Sequence, residues 1–327
     1  MLITQSFKNL DPEAFEMWTV VVENVESLRI CLRVIRPHIV VGGLLGYCLG
    51  VLLALVRGGR LNPAALTLGY AVVLFGDLST HFSNDYYDVD LDRGARRKAL
   101  GSSYVLVEHP ETRPLVRGMA VALTVASLLA AASLVFLGSH PSLLAIVAVT
   151  NLLGWLYSAP PVHLNARGLG EVTIALGTGF VIPAVGYIVA RGAIDWAFLS
   201  LSAPLVLYGL VLSLSLELPD LEADREGGRT NLVVVLGRRS AALLILVLAV
   251  IATALFALVG EVGLGPPWLI PLLSVIPLAA GLNTLLSRLM AHAETDRVSV
   301  LNISALSLFL VALDAYLLLN LLQPRAA

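Results

Sequence analysis

From Gly118 to Ala166 the chain runs 49 residues without an Asp, Glu, Lys or Arg. No water-soluble element accommodates such a run, because a surface helix or strand must present a polar face to water. In lipid only helices and closed barrels satisfy every backbone N–H and C=O. The apolar residues here are near-continuous instead of alternating, which selects helices over barrel strands. One helix of 49 residues is too long for one crossing, and the turn sequence GSHPS at 138–142 divides it.

Further charge-poor runs lie at 37–56, 61–84, 172–190, 196–216, 240–260, 262–287 and 298–323, broken only by Asp77 and Asp314. Together they predict nine transmembrane helices, about 37–57, 63–88, 115–137, 142–158, 170–190, 195–218, 239–259, 266–287 and 298–322. The expected fold class is an all-α polytopic membrane protein. Charged residues make up 13% of the chain and hydrophobic ones 57%, with a mean hydropathy of +0.86, which excludes a disordered chain. A net charge of −2 provides no basic field for nucleic acid. Cys31 and Cys48 have no zinc-site spacing and are too few for a disulfide framework. The acid-rich first 35 residues lack the apolar stretch of a cleaved signal peptide.

The basic residues assign an orientation. With nine helices, seventeen of the 21 Lys and Arg fall on the side of the N-terminus, leaving Arg57, Arg60, Arg191 and Arg325 on the other. The excess marks the cytoplasmic side, so the N-terminus is expected in the cytoplasm and the C-terminus outside. Residues 1–34 read as a cytoplasmic segment, with an amphipathic surface helix or a plain soluble lead-in over 12–34, and residues 35–327 as the membrane domain.

Two acidic clusters lie on the predicted cytoplasmic side. The segment NDYYDVDLD at 84–92 ends the second helix, and Asp85, Asp88 and Asp92 are spaced to share one helical face. The segment ELPDLEAD at 217–224 follows the sixth helix, and Asp220 and Asp224 again share a face. Stacked like charges repel, and aspartate is a poor helix former, so the arrangement calls for a cation among them. Hard oxygen ligands in this number suit Mg²⁺, with a phosphate filling its remaining positions. The alternative is two ordinary acidic loops at a membrane surface. Asp77 and Asp314 are intramembrane acids, either functional or neutralised within the bundle. His81 reads as a packing residue, and Gly168-Leu169-Gly170 as a helix start.

With these residues in place the chain resembles the UbiA superfamily of intramembrane prenyltransferases. Asn84–Asp92 is similar to its NDxxDxxxD motif and Asp220–Asp224 to its DxxxD motif. GWLYSAPPVHLNARGLGE at 154–171 and DREGGRTNL at 224–232 look like the branch containing 1,4-dihydroxy-2-naphthoate prenyltransferases, and Arg36-Pro37 resembles the entry to the first helix. The sequence departs at Pro161 and His163, where many relatives have a basic residue, and at Leu216, where many have asparagine.

The resemblance implies nine helices around a central cavity, Mg²⁺ as cofactor and a polyprenyl diphosphate donor. Asp85, Asp88, Asp92, Asp220 and Asp224 would be catalytic and metal-binding. Asn84, Arg36, Arg97, Tyr157, His163, Arg225 and Arg229 would contact diphosphate, with Tyr157, Tyr86 or Tyr87 offering a π face to an allylic cation. The active site would open to the cytoplasmic side. The expected acceptor is an aromatic quinone precursor such as 1,4-dihydroxy-2-naphthoate. Geranylgeranylglyceryl phosphate, in ether-lipid synthesis, is the alternative within the same chemistry. A CDP-alcohol phosphatidyltransferase needs a linked aspartate pattern that Asp92–Arg97 only echoes. A cation transporter would place its charges nearer mid-membrane.

Overall fold

The structure is a computed structural model and describes residues 26–94, 103–259, 266–287 and 292–322. Among these residues there are helices and turns and no strands. A short helix α1 (residues 26–34) leads into α2 (Pro37–Val56), α3 (Pro63–Tyr87), α4 (Val89–Gly94) and α5 (Val105–Glu108). Next come α6 (Arg113–Phe136), α7 (Ser142–Ser158), α8 (Gly170–Leu176), α9 (Ile182–Arg191) and α10 (Trp196–Glu217). The chain continues with α11 (Leu221–Glu226), α12 (Leu232–Leu236), α13 (Arg238–Val259), α14 (Leu269–Leu273), α15 (Val275–Leu286) and α16 (His292–Leu322).

Eight spans among the described residues are long and apolar enough to cross a membrane. The predicted fourth crossing, α7, has the predicted bounds but only 17 residues. The long helices form a ring in chain order, and α16 closes it by packing on α2. The proline-led starts of α2, α3 and α6 suit the first helical turn, where the missing N–H costs nothing. Two large apolar clusters fill the bundle. One joins α2, α9, α10, α13 and α16 around the touching rings of Tyr208, Phe256 and Phe309. The other joins α2, α3, α6, α7 and α9. A third, smaller cluster ties α1, through Ile30 and Val34, to Phe82, Val89, Val105 and Val116 beside the acidic end of α3.

Several predicted boundaries are corrected. The fifth crossing is not one regular helix: a π turn over Gly177–Val181 separates α8 from α9. The eighth breaks at Ser274, whose hydroxyl bonds the Thr253 hydroxyl at 2.7 Å. The ninth starts at His292 instead of 298, because a backbone ladder continues past the charges that ended the apolar run. Of the segment expected to lie on the membrane surface, residues 12–25 fall outside the described residues. Residues 26–34 are helical, with Ile30 and Val34 buried and Leu28 and Leu32 exposed.

Candidate active site

The two acidic segments end helices on the same side of the bundle, and one guanidinium joins them. Helix α3 closes at Asp88, which caps it at φ −90° and ψ 7°, and α4 resumes the turn. Asp85 and Asp88 are both buried there. Helix α10 closes at Glu217, a 3₁₀ turn carries Pro219 and Asp220, and Asp224 is buried on α11. Gly228, at φ +72°, then reverses the chain in the left-handed region that glycine adopts without steric cost. This turn brings the Arg229 N–H to the Asp224 carbonyl at 2.8 Å. The guanidinium lies between the motifs: Nη2 is 2.9 Å from Asp88 Oδ2 and Nη1 is 3.3 Å from Asp224 Oδ1. Burial opposes the charge on Arg229, but the carboxylates of Asp88 and Asp224 outweigh it and raise its pKa above the ordinary guanidinium value.

Arg36, at the N-cap of α2, pairs with Asp85, whose other oxygen accepts from the Ser103 hydroxyl. Polar side chains satisfy further lone pairs. Asn231 Nδ2 donates to Asp224 at 2.7 Å, while its Oδ1 caps α12 through the Val234 N–H at 2.8 Å. Asn165 Nδ2 reaches Asp88 at 3.3 Å, and Ser158 Oγ donates to Asn84 Oδ1 at 3.0 Å. The loops carrying these residues meet where the Thr230 N–H and hydroxyl both bond the Ala166 carbonyl, at 3.0 and 2.9 Å. Beneath them, fully buried Glu171 accepts the Leu232 N–H, and its charge acts on the nearby Glu217 carboxyl. Tyr157 lies within electrostatic reach of Glu217, Arg229, Asp88 and Glu171.

Asn84, Asp85, Asp88, Asp224, Arg36, Arg229 and Tyr157 therefore come together. Asp92 and Asp220 are half-buried at the edges of the same two segments. Arg225 is exposed, since one residue from Asp224 it points about 100° around α11. Tyr86 presents its ring to Arg113, 4.7 Å away, and not to the carboxylates. His163 adopts a left-handed backbone, φ 49°, and its buried Nε2 has no hydrogen-bond partner among the described residues. Arg97 lies outside the described residues. Asp77 Oδ1 stands 3.7 Å from His81 Nε2, and Asp314 is buried on α16. Both cysteines are free thiols.

The five aspartates expected to converge do not form one cluster: among the described residues no three acidic, His or Cys groups gather as a metal site. Buried carboxylates repel, and here Arg36 and Arg229 are interleaved between them. The donor set still fits a divalent cation. Asp88 and Asp224 face one point of positive charge from opposite motifs, and their hard oxygens suit Mg²⁺ carried by a phosphate ligand.

Sequence reasoning passed over Ser103, Ser158, Asn165, Glu171 and Asn231. Asn231 carried a readable signal, an asparagine just before an apolar run, the mark of an N-cap. Ser103 and Ser158 carried none.

The sequence model of the UbiA prenyltransferase family matches residues 44–318. The chain is 24% identical over 255 residues to the 1,4-dihydroxy-2-naphthoate octaprenyltransferase of Bacillus subtilis strain 168, covering 76% of this chain and 79% of the relative. It is 30% identical over 256 residues to the digeranylgeranylglyceryl phosphate synthase of Thermococcus kodakarensis, covering 75% and 83%. The fold is similar to the apo structure of a UbiA homologue from Aeropyrum pernix K1, with a TM-score of 0.68, 18% identity and coverage of 88% and 100%. It is also similar to a UbiA homologue from Archaeoglobus fulgidus bound to DMAPP and Mg²⁺, with a TM-score of 0.63, 18% identity and coverage of 87% and 99%.

Proposed function

Since the chain belongs to the UbiA prenyltransferase family, we propose that it moves a polyprenyl group from an allylic diphosphate to an aromatic quinone precursor such as 1,4-dihydroxy-2-naphthoate. The observation that carries the reading is the Arg229 bridge between Asp88 and Asp224, which supports one shared anion site built from both motifs. In the reaction the allylic C–O bond breaks and its electron pair leaves with diphosphate. A carbon of the acceptor ring attacks the delocalised cation, and that carbon then loses its proton. Asp88 and Asp224, flanked by Asp85, Asp92 and Asp220 on the same two segments, would hold Mg²⁺, which when bound neutralises charge on the leaving diphosphate.

The chain's own groups act around that centre. Arg36 and Arg229 exchange their carboxylates for non-bridging phosphate oxygens, a charge-assisted contact for which a guanidinium is well shaped. Asn84 is held by Ser158 and orients toward phosphate. Tyr157 offers its π face to the cation. The joined 166 and 230 loops would help screen the cation from the water that would quench it. The sequence segments 1–34 and 35–327 are proposed as lead-in and catalytic domain, with the site open to the cytoplasm.

A glyceryl phosphate acceptor is the second reading, favoured by the 30% identity to the Thermococcus synthase. It is ranked second because, among the described residues, Arg36 and Arg229 are the guanidiniums paired with the buried motif aspartates, one set for one diphosphate. Exposed Arg225 adds no buried cation for a second phosphate. The deciding experiment offers purified protein a labelled allylic diphosphate with dihydroxynaphthoate, hydroxybenzoate or geranylgeranylglyceryl phosphate, and identifies products by mass spectrometry. Prenylated naphthoate is expected. A product only from the glyceryl phosphate establishes the second reading, and no diphosphate release with any acceptor overturns both.

A further inference from the structure

On the outer surface of the bundle, at the acidic end of α3, lies a groove of about 590 Å³ lined by Tyr86, Arg113, Pro114, Arg117, Val121 and Ala122. Arg113 and Arg117 are one turn apart on the first turns of α6, both exposed and neither in an ion pair among the described residues. That placement is doubly unfavourable. Like charges four residues apart repel, and the N-terminal end of a helix already carries positive potential. Both guanidiniums lean over the ring of Tyr86, at 4.7 and 5.9 Å from its centroid, which holds them toward the groove. Tyr86 packs edge to face with Tyr87, and Tyr87 with Trp155, a cluster of the kind found at headgroup depth.

Below the guanidiniums the wall becomes apolar. Gly118 leaves open space where a side chain would stand. Val121, Val125 and Leu129 follow at one-turn intervals, 46%, 48% and 63% exposed, as a strip running along α6 into the membrane. Two cations above a glycine notch and an apolar strip match an anion that carries an acyl chain. We propose that this groove is a binding site for an anionic glycerophospholipid, its phosphate on Arg113 and Arg117 and one acyl chain over Gly118, Val121 and Val125. Charge complementarity chooses this occupant over a zwitterionic lipid, whose own ammonium would face the same two guanidiniums.

The test is native mass spectrometry and thermal melting of the purified full chain in detergent, titrated with phosphatidylglycerol or phosphatidylcholine. One tightly held phosphatidylglycerol per chain is expected, with a higher melting temperature than in phosphatidylcholine. The double variant Arg113→Gln/Arg117→Gln should weaken that binding about thirtyfold, the scale for two cations lost at a membrane surface. Gly118→Leu fills the notch with both guanidiniums intact, and it favours the helix, so folding is not at risk. It should also abolish the tight site. The proposal is overturned if either variant keeps the wild-type lipid stoichiometry, or if phosphatidylcholine is held as tightly as phosphatidylglycerol. Displacement of the lipid by soluble glycerol phosphate with equal affinity also overturns it, because the apolar strip would then contribute nothing.

Discussion

At the scale of single residues, the chemistry of Asp88 and Asp90 separates although they are two positions apart. Asp88 is buried against Arg229 and Asn165, whereas the side chain of Asp90 is 85% exposed and meets Arg93. Asp88→Ala is expected to abolish diphosphate release per folded protein and Asp90→Ala to leave it near wild type. Equal damage from both would dismiss the assignment of Asp88 to the site. Arg229→Met removes the cation shared by the buried Asp88 and Asp224 carboxylates, a loss of about 3 kcal/mol for a broken buried pair. The variant should melt earlier in detergent, and Mg²⁺ with diphosphate should restore part of the difference. Asn231→Asp isolates one function of a residue that has two. It keeps the cap on α12 and replaces the donor facing Asp224 with a like charge. Turnover should fall with little change in helix content by circular dichroism.

Among the elements, the crossing of α2 and α9 is set by glycine. A Cβ at Gly50 would stand 1.9 Å from the Pro183 carbonyl oxygen, and one at Gly186 would stand 2.4 Å from the Tyr47 carbonyl oxygen. The two backbones therefore touch, as small residues permit in membrane bundles. Gly50→Ala forces the helices apart at an overpacking cost of about 1–3 kcal/mol. Gly42, two turns earlier on the same helix, meets nothing within 4 Å, so Gly42→Ala should be neutral. Melting temperatures of the two variants in one detergent check the difference, and matching losses would mean that the crossing does not depend on this contact.

For the whole molecule, the charge asymmetry and the ring of spans lead to two expectations. Reporter fusions should place the N-terminus in the cytoplasm and the C-terminus outside; both on one side would dismiss the nine-crossing topology. Turnover should require a divalent cation, since Arg36 and Arg229 cannot neutralise both the carboxylates and a diphosphate. Full activity in excess chelator would refute this.

Hydrophobicity alone located the long apolar helices, eight of which among the described residues are long and apolar enough to cross a membrane, because the cost of a charge in lipid is paid locally, residue by residue. For the same reason the acidic ends of the second and sixth crossings were legible: their spacing is a property of one helix at a time. Which cation each aspartate meets was not legible. Asp85 finds Arg36 from 49 positions away, and Asp88 is held by Arg229 across the bundle. Neither Arg225 nor Tyr86 differs from its neighbours in a one-dimensional reading, yet packing turns the first to solvent and the second to Arg113. The breaks in the fifth and eighth crossings also came from the tertiary structure. Lipid constrains apolarity but not helical phase, and the close approach of Gly179 to the Leu205 backbone is made between helices.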